Sequence, residues 1–147
     1  MFTQLVQKHG FEAKNLHLEI TETAVMSDTK KVIRLVNKLR QYGFKVEMDD
    51  FGSGYSSFGM LQNYNFDIMK IDMSFVRQIE TNTKTRSIIR FIIEMAHTMD
   101  IKIIAEGAET KEQVEFLRDN GCDYIQGYYF YKPMPEEEFV KLLDAGR

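Results

Sequence analysis

The sequence predicts an α/β protein, because segments with the periodicity of strands and of helices alternate along the chain five times. The strands are mostly apolar, as in IKIIA at 101–105, and such strands are typical of a parallel sheet covered by helices. Two architectures fit this pattern: a five-stranded doubly wound sheet, and part of an eight-stranded barrel. The length of 147 residues favours the open sheet, since a barrel usually has about 250 residues.

The first elements are predicted from residue spacing. Apolar residues at helical spacing predict a helix at 2–9. The segment LHLEIT at 16–21 alternates apolar and polar residues, which is the period of a strand and places Glu19 opposite the apolar face. An amphipathic stripe then predicts a second helix, with Ser27 or Asp28 as its N-cap.

Two further strands are predicted at FKVEMD, 44–49, and at FDIMKID, 66–72. A short helix is expected between them, centred on 58–61. Along the second of these strands, Lys70 and Asp72 fall on a common side near the carboxyl end, because alternate residues of a strand share a face. This end of the strand is therefore a place to look for chemistry.

A long helix is predicted within 84–99, where apolar residues recur at helical spacing. The strand IKIIAE at 101–106 follows, and we expect both of its faces to be buried. Thr110 and Gln113 then match the spacing of a capping box, which predicts that another helix begins there.

The last strand is predicted at DYIQGYYF, 123–130, where packing of the aromatic run against helices is a simpler explanation than stacking on a base. Pro133 and Pro135 lie just before EEEFVKLLD, whose acidic first turn suits the start of a helix. The chain therefore ends in a predicted helix.

Composition indicates a globular protein that can bury a core, with 44% hydrophobic and 28% charged residues. The formal charge of −3 argues against binding of DNA or RNA. Cys122 is the one cysteine, which excludes an intramolecular disulfide and a cysteine-based zinc site and fits the reducing cytoplasm. No apolar run approaches the roughly 20 residues of a membrane span, and the start lacks the apolar centre of a signal peptide. We therefore expect a cytoplasmic protein without membrane contact by this segment.

Charged and amide side chains are concentrated where the predicted strands end. They are Glu19, Glu22, Asp49, Asp50, Lys70, Asp72, Glu106, Glu109 and Gln126. Carboxylates gathered at one edge repel each other by roughly 4 kcal/mol per pair at about 4 Å, and one lysine does not neutralise them. Carboxylates without cysteine or clustered histidine suit Mg²⁺ or Mn²⁺. Two such ions would support cleavage of a phosphodiester bond.

Other interpretations of these residues remain open. Any single acid after a strand also fits a helix N-cap or a solvated loop, and Lys70 could simply pair with Asp72 or extend to solvent. The consecutive Asp49 and Asp50, followed by the polar and glycine-rich FGSGYSS, are harder to explain as a turn. A receiver-like module with Mg²⁺ beside a phosphorylated aspartate is a further alternative. It needs acids on the first strand and a lysine on the last, and this sequence does not have that order.

Several motifs in register then resemble one family. They are EITE at 19–22, DDFGSGYSS at 49–57, KID at 70–72, AEGAET at 105–110 and QGYYFYKPMP at 126–135. In order and spacing, the chain resembles the EAL-domain family. The resemblance implies a partial TIM-like (β/α) barrel of about five βα units with mostly parallel strands. It also implies hydrolysis of cyclic di-GMP to linear pGpG with two Mg²⁺ or Mn²⁺ ions, in bacterial signalling.

The resemblance also implies roles for individual residues. The metal ligands would be Glu19, Asp49, Asp50, Asp72 and Glu106. Lys70 would hold the attacking water or the phosphate charge, and Glu106 is the candidate general base. Glu22 would brace the FGSGYSS loop and link metal binding to the formation of a homodimer. The remaining residues expected to bind substrate or to support the ligands are Glu109, Gln126, Ser53, Gly54 and Tyr55.

The sequence also departs from the family pattern. GSG replaces the commoner GTG, and Ala108 stands where valine is usual. The Glu-Ala-Leu motif and an asparagine-bearing strand, both of which supply metal ligands in the family, do not occur. We therefore expect residues 1–147 to be the C-terminal portion of a single EAL domain, in a protein with fused sensory or GGDEF domains. Whether this portion is active stays open, and the alternative is an inactive module that binds cyclic di-GMP or a protein.

Overall fold

The structure, a computed structural model, describes residues 6, 8–52 and 65–146. In chain order the elements are a 3₁₀ turn Ala13–Asn15, β1 His17–Thr21, α1 Glu22–Ser27, α2 Thr29–Gln41, β2 Lys45–Phe51, β3 Ile68–Ile71, α3 Met73–Val76, α4 Thr83–Thr98, β4 Lys102–Glu106, α5 Lys111–Asp119, β5 Tyr124–Gln126 and α6 Glu136–Ala145. The strands form one five-stranded sheet in the order β1-β2-β3-β4-β5, and every described pairing is parallel. A doubly wound sheet reverses its strand order at a switch point, whereas a barrel keeps it. The sheet is therefore barrel-like.

The two faces of the sheet differ in polarity because side chains alternate along each strand. On one face, Met48, Met69 and Ile103 are fully buried in the hydrophobic core. Val36 of α2 and Ile89 of α4 belong to the same core, so this is the face that the helices cover. The other face carries the charged side chains of the candidate site.

Side-chain caps fix where several helices begin, as the sequence predicts. Asp28 is the N-cap of α2, and its carboxylate accepts a hydrogen bond from the Lys31 backbone at 3.1 Å. Thr110 and Gln113 form the predicted capping box of α5. Such caps satisfy backbone N–H groups that have no partner in the first turn of a helix.

The last strand is shorter than predicted, because β5 ends at Gln126. Tyr129 donates its backbone N–H to the Ala108 carbonyl at 3.0 Å, which turns the chain away from the sheet. Gly127 lies so close to Ala108 that a Cβ atom there would be 2.1 Å from the Ala108 oxygen. The prediction that the aromatic run packs in a strand is wrong, since residues 128–130 form a turn and their side chains are exposed.

The other differences from the predicted elements are local. The helix α1 was not predicted; it begins directly after β1, with Thr21 as its N-cap. The strand β4 is buried on one face only, since Ile103 and Ala105 are buried while Lys102 is exposed. On α4, Ile88 belongs to the predicted apolar stripe but is 45% exposed.

Two predicted helices cannot be followed in full. Val6 and Lys8 are helical, as expected for the helix at 2–9, and the remaining positions up to residue 7 lie outside the described residues. The short helix predicted around 58–61 also lies outside them. Within the described part of the chain, none of the helices combines the length and apolarity needed to cross a membrane.

We expect Gly127→Ala to destabilise the fold by about 1–3 kcal/mol, the usual cost of overpacking. The added methyl group would overlap the Ala108 backbone, which cannot rotate away as a side chain can. Urea denaturation measures the loss. Gly146→Ala is the matched control, because its Cβ would be 3.6 Å from the nearest atom, the Leu142 oxygen. Equal stabilities of the two variants would contradict the close approach.

Candidate active site

The candidate site is built around the ammonium group of Lys70, in the middle of the sheet. Its Nζ lies 2.7 Å from Glu19 Oε1, 3.0 Å from Asp49 Oδ1 and 2.9 Å from Glu106 Oε1. The contact with Asp49 is an ion pair without hydrogen-bond alignment, since Asp49 Oδ1 has no hydrogen-bond partner among the described residues. Three acids from three strands therefore meet at one buried cation, whose side chain is 8% exposed.

The register of the sheet explains this convergence. Thr21 pairs with Asp49 across β1 and β2, and Lys70 pairs with Ile104 across β3 and β4. Glu19 and Glu106 each lie two residues from one of these rows, so they project from the same face. A long lysine side chain on the central strand can then reach acids on both sides.

The surroundings of Lys70 favour its charged form. Burial lowers the pKa of Lys70, but the contacts with Glu19, Glu106 and Asp49 outweigh burial, and the net pKa is raised above its ordinary value. Lys70 is therefore an ammonium ion at neutral pH. It can donate hydrogen bonds and stabilise negative charge, but it cannot accept a proton.

Asp49 and Asp50 reach the same region although they are consecutive. In a regular strand, neighbouring side chains point to opposite faces. The register between β2 and β3 shifts after Met48, and Asp50 adopts a φ of 58°, a left-handed conformation that is uncommon for residues other than glycine. Asp50 consequently lines a cavity beside the Lys70 cluster. Burial raises the pKa of Asp50, and the charges of Asp49 and Asp72 raise it further.

This cavity has a volume of about 310 Å³ and is lined by residues from the ends of several strands. The residues predicted from the sequence that line it are Asp50, Asp72, Glu106, Glu109 and Gln126. Asp72 is also the N-cap of α3, where its Oδ1 accepts a hydrogen bond from the Ser74 backbone at 2.9 Å. Lys70 pairs with Glu19, Asp49 and Glu106. The alternative that it simply pairs with Asp72 is therefore wrong.

Arg77 lines the same cavity and was not predicted from the sequence. It follows directly after α3, and its guanidinium pairs with Glu109 Oε1 at 3.3 Å. No motif marks this arginine. The only signal that could have indicated it is its position one short helix after Asp72.

Glu22 lies apart from the cavity and contacts the start of the FGSGYSS loop. It is 2% exposed, and its Oε2 accepts a hydrogen bond from the Gly52 backbone at 3.3 Å. Its other oxygen is buried without a hydrogen-bond partner among the described residues. The predicted substrate contacts Ser53, Gly54 and Tyr55 lie outside the described residues.

The donor set fits a hard divalent cation, because it consists of carboxylate oxygens. Burial is the main cause of the raised pKa of Asp50, and the neighbouring charges of Asp49 and Asp72, which a bound cation would offset, add to it. Within residues 6, 8–52 and 65–146, no three Asp, Glu, His or Cys side chains are already arranged around a single metal position. Three of the candidate ligands are instead grouped around Lys70.

Comparison with known sequences gives consistent relatives. The family model described as "EAL domain" matches residues 1–133. The cyclic di-GMP phosphodiesterase NbdA of Pseudomonas aeruginosa is 40% identical over 142 residues, which are 97% of this chain and 18% of that protein. The probable cyclic di-GMP phosphodiesterase PdeG of Escherichia coli is 38% identical over 129 residues, which are 88% of this chain and 25% of that protein. The chain thus spans about a fifth of the length of these curated relatives.

Solved structures of EAL proteins superpose well on this chain. The EAL domain of Mycobacterium smegmatis DcpA superposes with a TM-score of 0.92 at 33% identity, covering 99% of this chain and 66% of that one. The PaMucR phosphodiesterase in complex with cyclic di-GMP superposes with a TM-score of 0.87 at 34% identity, covering 92% of this chain and 55% of that one. Klebsiella pneumoniae BlrP1, in a complex with manganese and cyclic di-GMP, superposes with a TM-score of 0.83 at 28% identity, covering 87% of this chain and 33% of that one.

We expect Lys70→Met to lower the free energy of unfolding by about 2 kcal/mol, because it removes the buried cation that three partly exposed carboxylates share. Urea denaturation at neutral pH measures the loss. Lys102→Met is the matched control: Lys102 also pairs with a carboxylate, Asp123 at 3.0 Å, but its side chain is 57% exposed, so little stability should be lost. The Lys70 cluster would not be a structural constraint if both variants were as stable as the parent.

Proposed function

The chain belongs to the EAL-domain family, and on this basis we propose that the protein hydrolyses cyclic di-GMP to linear pGpG. The observation that carries the proposal is the convergence of Glu19, Asp49 and Glu106 on Lys70, beside a cavity of about 310 Å³. A cyclic dinucleotide carries two phosphodiesters, and a group of acids with one fixed cation suits metal-assisted cleavage of such a bond.

The residues that would hold two Mg²⁺ or Mn²⁺ ions are Glu19, Asp49, Asp50, Asp72 and Glu106. When bound, such ions polarise phosphoryl oxygens and lower the pKa of a water molecule. Mg²⁺ and Mn²⁺ are compatible with the carboxylate donors, and the manganese complex of BlrP1 supports this choice.

Lys70 and Glu106 would perform the steps that belong to the protein. The Lys70 ammonium, held on its carboxylates, is positioned to orient the attacking water or to stabilise charge on the phosphoryl oxygens. Glu106 both contacts Lys70 and lines the cavity, so it can accept a proton from the water. Glu109 and Gln126 would contact the nucleotide, with Ser53, Gly54 and Tyr55 supporting the site from the loop after β2.

The assembly of the protein is part of the same proposal. Residues 1–147 would be the C-terminal portion of a single EAL domain, in a cytoplasmic protein with fused sensory or GGDEF domains. The large unmatched share of NbdA and PdeG is consistent with further domains. Glu22, which holds the first residue of the loop after β2, would connect metal binding to a homodimer.

The direct test incubates the intact protein with cyclic di-GMP and Mn²⁺ and follows pGpG by chromatography. We expect hydrolysis that is abolished by a chelator. Glu106→Gln should reduce kcat by about 10²–10⁴-fold through loss of the proton acceptor. Glu112→Gln is the control, because Glu112 is on the exposed side of α5 and pairs with Arg86 at 3.6 Å. Binding of cyclic di-GMP without any hydrolysis would contradict the proposed activity and would indicate a binding module instead.

A second prediction concerns the metal alone. A cation at 100 times its dissociation constant should stabilise the folded protein by about 2.7 kcal/mol, seen as a rise in Tm. Asp50→Asn should remove most of this rise. Asp100→Asn is a close control, since Asp100 has the same φ of 58° but is remote from the cavity residues. An undiminished response to Mn²⁺ in Asp50→Asn would exclude Asp50 as a ligand.

A further inference from the structure

A second buried carboxylate, Glu47, lies on the same face of the sheet as the Lys70 cluster. It precedes Asp49 by two residues on β2 and is 4% exposed. Its Oε1 lies 2.5 Å from Nδ1 of His17, which precedes Glu19 by two residues on β1. None of the roles assigned above uses either His17 or Glu47.

Glu47 and Glu19 are direct neighbours across the β1–β2 ladder. Adjacent strands are about 4.8 Å apart, so the two side chains start within reach of the same cation. They nevertheless have different partners: Glu19 contacts Lys70 at 2.7 Å, and Glu47 contacts His17. The position of Glu47 in the sheet does not by itself explain why it contacts His17 and not Lys70.

The Lys70 ammonium is already surrounded by acids. Three carboxylates lie within 3.0 Å of Lys70 Nζ, and one of them, Asp49, is held by charge without a hydrogen bond. A fourth carboxylate would compete with these three for the hydrogens of the ammonium group. Glu47 is the acid best placed to do so, because it is buried on the same face and next to Glu19.

We propose that His17 is a positioning residue: by binding Glu47, it keeps this carboxylate away from Lys70. The ammonium then stays with Glu19, Asp49 and Glu106, at the end of the face that adjoins the cavity. Without His17, Glu47 pairs with Lys70 and draws the ammonium away from its present carboxylate partners. The effect on turnover rests on the proposed function, whereas the change of partner does not.

Turnover of cyclic di-GMP provides the first test. His17→Ala should reduce kcat by roughly tenfold or more, because a misplacement of about 1 Å can cost up to about 100-fold. The affinity for Mn²⁺, measured by calorimetry, should not fall, because no ligand is lost. Adding Glu47→Gln to His17→Ala should restore kcat, and Glu47→Gln alone should have little effect.

His97→Ala is the matched control, because it breaks another contact between a histidine and a carboxylate, His97 with Asp123 at 2.9 Å, away from the cavity residues. It should leave kcat unchanged. An unchanged kcat in His17→Ala would overturn the proposal. A loss that Glu47→Gln does not rescue would also overturn it, since His17 would then act only by maintaining the fold.

The change of partner can be measured without catalysis. Glu47→Gln and Lys70→Met form a double-mutant cycle, read as free energies of unfolding in urea. In the parent the two substitutions should be nearly additive, and in a His17→Ala background they should be strongly coupled. Equal coupling in both backgrounds would overturn the proposal. If the parent hydrolyses no cyclic di-GMP, the proposed function fails, and this cycle still decides the role of His17.

Discussion

The shared ion pair at Lys70 is the interaction on which the rest of the site depends. Glu19, Asp49 and Glu106 come from three strands, and their charges tolerate each other because one ammonium lies within 3.0 Å of all of them. The sheet supplies this geometry without special loops, since alternate residues of neighbouring parallel strands project side by side. The apolar residues between them pack against the helices, so the same alternation builds the core and the site.

Close packing at two glycines fixes the helix that connects the cluster to the cavity. A Cβ atom at Gly52 would lie 2.6 Å from the Phe75 ring, and one at Gly107 would lie 2.6 Å from Met73 Cβ. Gly52, directly after β2, and Gly107, directly after β4, therefore both pack closely against α3. Because Asp72 is the N-cap of α3, these contacts also determine where its carboxylate lies relative to the cavity.

The sequence predicts the site only as far as strand periodicity reaches. It places Glu19, Lys70 and Glu106 near strand ends, and the structure brings them together. It does not reveal the partners of Lys70, because these depend on the order and register of the strands, which periodicity cannot give. The register shift that accompanies the placement of Asp50 at the cavity, and the pairing of Arg77 with Glu109, likewise depend on tertiary structure. The aromatic run predicts a strand, and the close contact of Gly127 with Ala108 that ends the strand has no signal in the sequence.

The electrostatics of the cluster also divide the chemical roles among its members. Lys70 has a raised pKa, because its contacts with carboxylates outweigh its burial. It therefore remains a donor wherever the fold is intact, so in the proposed hydrolysis a carboxylate, and not Lys70, would accept the proton that is released. Among the partners of Lys70, Glu106 is the one that also lines the cavity. In the described part of the chain, Glu106 is thus the acid that contacts both the fixed positive charge and the cavity where a substrate would lie.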